Sequence, residues 1–198
     1  MSENPIVDVQ DDEWNLIGQI IADGFADDAV NLWAFAGVAA MLPVYRAMAR
    51  YLYLPRGFGH RTADGKGGTL WLPPGAKKSY GVMGNLSMAR AIVTKGGWQA
   101  VVNSLAIDSF LSSKKPHEAH FYLFAIAVSP QLQGKGRGGE LMRSGLAQVD
   151  QAGMPAYLEN SKERNIPFYR NYGFEVIEEV VPAKGCPPMW LMWRPRSA

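Results

Sequence analysis

The feature that most constrains the fold of this chain is an apolar segment that runs into a glycine cluster. Residues 121–128 have the pattern of a buried strand, five residues follow, and four glycines then fall within positions 134–139. Each glycine costs about 1 kcal/mol relative to alanine inside a helix, so helix propensity does not explain them. Unpaired amides and the positive end of the helix dipole make a helix N-terminus an anion site, commonly for phosphate. With Lys135 and Arg137 beside it, the cluster predicts a site for a phosphorylated cofactor.

Two familiar phosphate loops fit this segment poorly. A P-loop requires Gly-Lys followed by Ser or Thr, whereas Lys135 is followed by Gly136. Positions 134–139 match the Rossmann pattern G-x-G-x-x-G literally, and Glu159 lies where an acidic residue is expected, about 20 residues further on. However, residues 129–133 separate the strand from the first glycine, and too little chain follows for a doubly wound dinucleotide domain. A lone match to this pattern is weak support.

A third pattern, Q-x-x-G-x-G, is formed by Gln133, Gly136 and Gly138, and a second motif follows downstream. After the predicted helix and a further strand, the segment 165–174 contains Tyr-x-x-x-Gly-Phe. Together the two motifs resemble the GNAT N-acetyltransferase superfamily, whose loop binds the pyrophosphate of acetyl-CoA. The resemblance covers residues 118–194 well and the first half in outline, and its pattern is closest to the puromycin N-acetyltransferase branch.

The order of segments predicts an α/β fold in a single domain over residues 1–198. Apolar periodicity and turn residues predict strands at 6–9, 58–62, 68–72, 121–128, 156–159, 174–181 and 188–193. They also predict helices from Asp11 or Asp12 to Phe25, from Trp33 to Tyr53, over 80–113, from the glycine loop to Gln151, and a short one that begins at Asn165. The long helical region is expected to break at Gly84 and at Gly96–Gly97. The resemblance further implies a GNAT-like mixed, mostly antiparallel central sheet flanked by helices, with a splayed central strand pair.

Composition fits a compact enzyme and argues against several other classes. The chain has 198 residues, of which 47% are hydrophobic and 19% charged, and a net charge of only +2, too small to imply a nucleic-acid or membrane partner. The single Cys186 allows no internal disulfide and fits a reducing compartment. The apolar stretch 32–45 is shorter than the ~20 residues of a membrane span, and the acidic N-terminus is unlike a secretory signal. We therefore expect a cytoplasmic protein. His117 and His120 lack the H-E-x-x-H spacing, so no metal site is expected.

The resemblance implies acetyl-CoA as the cofactor and assigns its site to the strand end and the loop. Backbone groups of Ile126, Ala127 and Val128 would pair with the pantetheine arm, while the apolar side chains pack in the core. The loop residues that it implies are Gln133, Gly134, Lys135, Gly136, Arg137, Gly138 and Gly139.

The position of Asn165 departs from the family's pattern of coenzyme contacts. The usual coenzyme-contacting asparagine falls several residues earlier, where this chain has Ser161 and Lys162. Asn165 is instead placed to cap a short helix that has Pro167 in its first turn. Both roles stay open for this residue.

Direct transfer of an acetyl group to an amine needs a proton acceptor for the amine and a proton donor for the departing thiolate. The resemblance places Tyr169 against the coenzyme sulfur, and a phenol with a pKa of about 10 is protonated at neutral pH; the alternative is a tyrosine packed in the core. Many relatives carry a glutamate on the cofactor strand, but residues 121–128 contain no carboxylate. Glu159, at the end of the next strand, is the candidate base or ammonium anchor; otherwise it caps Ser161.

The resemblance places the acceptor pocket between the first two helices and the splayed strands, where Phe25, Asp28 and Trp33 would contact the substrate. The alternatives are core packing for the aromatic residues and a simple helix stop for the acidic pair Asp27-Asp28. The sequence therefore predicts an acetyl-CoA-dependent N-acetyltransferase acting on a primary amine of a small molecule. Transfer of another acyl group, transfer to an oxygen, and a CoA-binding sensor or interaction module without turnover are the alternatives.

Overall fold

The computed structural model describes residues 5–196, which form a seven-stranded sheet with helices on both faces. The strands are β1 Ile6–Asp8, β2 Phe58–Thr62, β3 Gly67–Leu72, β4 Phe121–Val128, β5 Ala156–Asn160, β6 Glu175–Val180 and β7 Met189–Arg194, in the order β1-β2-β3-β4-β5-β7-β6. Among these strands β4 and β5 are parallel neighbours, and every other neighbouring pair is antiparallel. The predicted mixed, mostly antiparallel sheet is confirmed.

Helices cover both faces of this sheet. They are α1 Trp14–Gly24, α2 Ala29–Phe35, α3 Met41–Met48, α4 Leu54–Arg56, α5 Gly81–Lys114, α6 Arg137–Gln151 and α7 Ile166–Arg170. Helices α1, α2, α3 and α5 bury their apolar sides in one cluster, while α6 and α7 pack in a second cluster on the other face. None of the described helices is by itself long and apolar enough to cross a membrane; the stretch Ala29–Phe35 taken with Val38–Arg56 meets that test, but the pair is bent by 81°.

The parallel strands β4 and β5 separate part-way along their length. Their pairing runs from Phe121 opposite Ala156 to Leu123 opposite Leu158, whereas β4 itself continues to Val128. Beyond Leu123 the two strands diverge, so the backbone of β4 on that side faces an opening in the sheet. The predicted splayed pair is thus present at the centre of the sheet.

A bulge in β4 accompanies this opening. Leu70 of β3 lies opposite Ala125 and Trp71 lies opposite Leu123, which leaves Phe124 as an extra residue in β4. Phe124 and Ala125 consequently both pack in the cluster with α1 and α3. The bulge thereby turns an aromatic side chain toward the space beneath those helices.

Two expected helix boundaries differ from those observed. The second helical region begins at Ala29 rather than Trp33, and is interrupted where Ala36 and Gly37 adopt positive φ. The predicted break at Gly84 is wrong: this glycine is helical and buried, and an added Cβ would lie 2.8 Å from the Cβ of Tyr51. Close packing therefore explains Gly84. The break at Gly97 is confirmed, since its φ of 70° and ψ of −169° interrupt α5.

Candidate active site

The glycine loop forms an open backbone turn that leads into α6. Gly134 and Gly136 have φ of 75° and 80°, a left-handed conformation that residues with a side chain rarely adopt. A Cβ added at either position would meet no atom within 4 Å, so the space in front of both is open. The first helical bond joins the Glu140 N–H to the Gly136 carbonyl at 3.2 Å, and the amides before it have no helical acceptor. The loop therefore fits an anion that approaches bare backbone.

Gly139, the last glycine of the cluster, has a packing role, whereas Gly138 has room for a side-chain carbon. A Cβ at Gly139 would lie 2.5 Å from the hydroxyl oxygen of Tyr172, and one at Gly138 would lie 3.6 Å from the ring of Phe168. Both aromatic residues belong to the segment in and just after α7. Gly139 thus allows α6 to approach that segment closely, whereas Gly134 and Gly136 shape the open part of the loop.

The polar side chains of the loop differ in their contacts. Gln133 donates from Nε2 to the Val128 carbonyl at 3.2 Å, which ties the loop back to the end of β4. The Arg137 guanidinium pairs with Glu140 at 2.7 Å, one turn along α6. Lys135 is exposed on the surface of the loop. A coenzyme contact by these side chains stays a prediction.

The end of β4 packs with its side chains and presents its backbone to the opening in the sheet. Ala127 is buried against α1, where a Cβ at Gly24 would lie only 2.6 Å from the Ala127 Cβ. Ile126 packs against the cluster on the opposite face, and Val128 is half-buried near Gly138. This arrangement agrees with the expectation that the apolar side chains are structural and that only the backbone is available to a ligand.

A cavity of about 700 Å³ lies beside the opening, between the sheet, the residue that follows α1, and helices α2, α3 and α5. Aromatic and aliphatic side chains form most of its wall, and Glu159 at the end of β5 forms part of it. Of the three predicted substrate contacts, Phe25 belongs to the described wall of this cavity, whereas Asp28 and Trp33 do not.

Asp28 has a structural role at the start of α2. It is fully buried, and its Oδ1 accepts hydrogen bonds from the Asn31 backbone N–H at 2.9 Å and from Asn31 Nδ2 at 2.8 Å. Its Oδ2 accepts a hydrogen bond from the Ser161 hydroxyl at 2.5 Å. Asp28 is therefore an N-cap, which corrects the expectation of a substrate contact. Trp33 packs against the same core, and its carbonyl accepts a hydrogen bond from Asn103.

Glu159 is the ionisable group best placed for proton chemistry. It is half-buried on the cavity wall, and its Oε2 accepts a hydrogen bond from the Tyr122 hydroxyl at 2.8 Å. Burial raises the pKa of this carboxyl above its ordinary value, while the Tyr122 hydrogen bond and the charges of Lys78 and Lys115 oppose the increase. Ser161 donates to Asp28 instead, so the alternative in which Glu159 caps Ser161 is not observed.

Tyr169 and Asn165 lie in and just before α7. Tyr169 is buried, with its ring edge-to-face against Phe168 and Phe174, and burial raises the pKa of its phenol further above the ordinary value. The phenol is thus protonated at neutral pH, as an acid must be, but its role in catalysis stays a prediction. Asn165 occupies the predicted N-cap position of α7, with Pro167 in the first turn, but its side chain makes no capping hydrogen bond to the helix.

Sequence reasoning missed Tyr122, which bonds to the candidate base. The missing information was the register of the parallel pair: Tyr122 stands opposite Tyr157, and Glu159 follows two residues further along β5. Lys115, whose ammonium lies 4.7 Å from the Tyr122 ring centroid, was missed as well. Within residues 5–196 no three His, Cys, Asp or Glu side chains come together as metal ligands would.

Comparison with known proteins finds similarity to acetyltransferases. Residues 97–176 match the family model of the acetyltransferase (GNAT) domain. The matched segment, which is less than half of the chain, is similar to GNAT acetyltransferases. It is 28% identical over 142 residues to an uncharacterized N-acetyltransferase of Schizosaccharomyces pombe, which covers 63% of this chain and 53% of that protein. The match thus spans about half the length of this curated relative.

Solved structures show that the GNAT fold extends well beyond the matched residues. A crystal structure described as histone acetyltransferase HPA2 and related acetyltransferase from Corynebacterium glutamicum has a TM-score of 0.73 at 20% identity, covering 98% of this chain and 97% of its own. The polyamine N-acetyltransferase of Drosophila melanogaster has a TM-score of 0.56 at 16% identity, covering 95% and 98%. At these identities the likeness establishes a shared GNAT fold.

Proposed function

We propose that this protein is a GNAT enzyme, an acetyl-CoA-dependent N-acetyltransferase that moves an acetyl group directly to a primary amine of a small molecule. The observation that carries the proposal is Glu159, a carboxyl with a raised pKa on the wall of a mostly apolar cavity. Ligands of open α/β sheets gather beyond the carboxyl ends of parallel strands. Glu159 lies at that end of β5, and the glycine loop follows the same end of β4.

The open loop supports binding of the coenzyme, whose bound thioester would supply the acetyl group. The backbone around Gly134 and Gly136 would hold the pyrophosphate, because both glycines leave open space and the amides before Glu140 have no helical acceptor. The backbone of residues 126–128, which borders the opening between β4 and β5, would hold the pantetheine arm.

Glu159 has the properties that a proton acceptor for an ammonium substrate requires. A carboxylate whose pKa is raised by burial is a stronger base than an exposed one, and the cavity brings a small molecule within its reach. Tyr169 would donate a proton to the thiolate that leaves. Replacement by Tyr169→Phe should retain folding and coenzyme affinity, because the ring stays, but should lower turnover.

The remaining features of the proposal come from the sequence. The motifs of the loop and of the Tyr-x-x-x-Gly-Phe segment favour common ancestry with the puromycin N-acetyltransferase branch, which does not fix the substrate. The low net charge of +2 favours a small amine over nucleic acid as the partner, and the single cysteine fits the reducing cytoplasm.

Release of free thiol from acetyl-CoA in the presence of a panel of primary amines tests the proposal directly. We expect amine-dependent turnover, together with binding of the coenzyme by calorimetry. Binding of the coenzyme without turnover on any amine would contradict the proposal and favour a sensor. Turnover with longer acyl donors in preference to acetyl-CoA, or with alcohols, would correct the donor or the acceptor.

A further inference from the structure

The cavity beside Glu159 offers one carboxylate to a cation. Among the described residues that line it three are charged, and two of these, Lys78 and Asp108, form an ion pair with each other. Glu159 is the third charged residue. Its carboxylate accepts a hydrogen bond from the Tyr122 hydroxyl and forms part of the cavity wall. Glu159 is therefore the carboxylate in the described wall that forms no ion pair and can pair with an ammonium group, although the charge of Lys78 also acts on it.

Aromatic rings lead along the cavity wall toward this carboxylate. Phe25 stacks on Tyr45 with ring centroids 5.8 Å apart, Tyr45 lies 6.2 Å from Phe124, and Phe124 lies 6.4 Å from Tyr122. All four residues line the cavity. The hydroxyls of both tyrosines donate to side chains of the protein itself, so the surface left for a ligand is largely ring carbon.

We infer that the acceptor is a monoamine with an apolar, preferably aromatic body, an inference that rests on the proposed function and narrows its substrate. The ammonium end pairs with Glu159, and the body lies on the rings of Phe25, Tyr45 and Phe124. A second ammonium on that body would have to move from water into the cavity, where it would find no carboxylate to pair with. Transfer of an unpaired charge out of water is strongly unfavourable. Diamines and polyamines are therefore poor substrates, although one protein of the same fold is named for acetylating polyamines.

Hexylamine and 1,6-diaminohexane form a matched pair for this test, because they differ in the second ammonium alone. We expect kcat/KM to be higher for the monoamine by at least about tenfold, the order of discrimination that leaving one buried polar group unpaired provides. Equal or higher kcat/KM for the diamine would overturn the inference. Calorimetric binding of the same two amines tests the preference of the cavity even without turnover, so failure of the proposed function and failure of this inference are separable.

A separate substitution tests the preference for an aromatic body. Phe25→Leu should lower the ratio of kcat/KM for 2-phenylethylamine to that for hexylamine roughly 2- to 10-fold, because the ring stacking is lost. Phe110→Leu is the matched control: Phe110 is half-buried on α5 but is not among the residues that line the cavity. It should leave the ratio unchanged. An unchanged ratio in Phe25→Leu as well would remove the aromatic preference.

Discussion

At the scale of single residues, the function of Glu159 is separable by kinetics into two roles. If Glu159 accepts the proton of the amine, Glu159→Gln should lower turnover by about 10²- to 10⁴-fold, the usual contribution of general base catalysis. The loss should shrink as pH rises, because more of the amine is then already deprotonated. If Glu159 only anchors the ammonium, KM for the amine should rise with turnover largely kept. Steady-state kinetics between pH 6 and pH 10 distinguishes the two, and full activity throughout would remove Glu159 from the mechanism.

Tyr122 provides a more specific test of the same carboxyl. Its hydroxyl donates to Glu159 at 2.8 Å and thereby lowers the pKa of Glu159, against the effect of burial. Tyr122→Phe removes this hydrogen bond, so the pKa of Glu159 should rise and the acidic limb of kcat/KM should move to higher pH. The plateau at high pH should change little.

Tyr45→Phe is the control for that variant. Tyr45 lines the same cavity, but its hydroxyl donates to Asn31 rather than to Glu159. Its loss should therefore leave the acidic limb in place. A limb that moves equally in both variants would mean that the cavity in general, and not the bond to Glu159, sets this pKa.

At the scale of elements, the proposed coenzyme site in the loop before α6 requires a backbone that a ligand can approach. Gly136→Val places a β-branched side chain at a φ of 80° and fills the open space in front of the loop. We expect calorimetric affinity for acetyl-CoA to fall by at least about 100-fold, because the added side chain blocks several backbone contacts at once.

Gly153→Val serves as the matched control for the loop. Gly153 also has a positive φ, 62°, and open space around its would-be Cβ, but it follows the C-terminus of α6. Both variants should lose a similar amount of unfolding free energy, roughly 1–3 kcal/mol for a strained backbone residue. Only Gly136→Val should lose the coenzyme. Equal affinity in the two variants would contradict the anion site.

The elements that sequence reasoning located well are those with a strong local signal. The apolar run of β4 and the glycines before α6 define a strand and a helix start, and both lie where they were expected. The predicted break at Gly84 was wrong because this glycine is needed for close packing against Tyr51. The sequence does not distinguish such a glycine from one that ends a helix. The bulge at Phe124 gave no local signal, since it depends on the register with β3.

At the scale of the whole molecule, the cavity is the feature that sequence reasoning could reach only in part. Its wall joins Phe25, just after α1, to side chains from α2, α3, α5 and both splayed strands, which are far apart in the chain. Phe25 was identified through the family resemblance, but Asp28 is an N-cap, and a capping aspartate and a substrate-binding one look alike in a sequence. Glu159 was found because a strand end in an open α/β sheet is a recurrent ligand position.

The placement of Glu159 also affects the stability of the whole domain. Its pKa in the folded protein lies above the ordinary value of 4.5, so the ionised form is favoured less by the folded than by the unfolded state. This penalty is absent below pH 4.5 and grows as pH rises through the folded pKa. Glu159→Gln should therefore gain unfolding free energy relative to wild type, and the gain should be larger at pH 8 than at pH 5. Urea unfolding at the two pH values measures it; a gain that falls with pH would contradict the raised pKa.

The separation of β4 from β5 leaves central backbone amides with the behaviour of a sheet edge. Pairing ends at Leu123 and Leu158, so those amides of residues 124–128 that point away from β3 have no neighbouring strand. Buried residues at the middle of a sheet usually exchange their amide hydrogens last, close to global unfolding. These amides should instead exchange early in the protein alone and slow markedly once a ligand fills the gap. Their exchange rate would then report ligand occupancy without any chemical turnover.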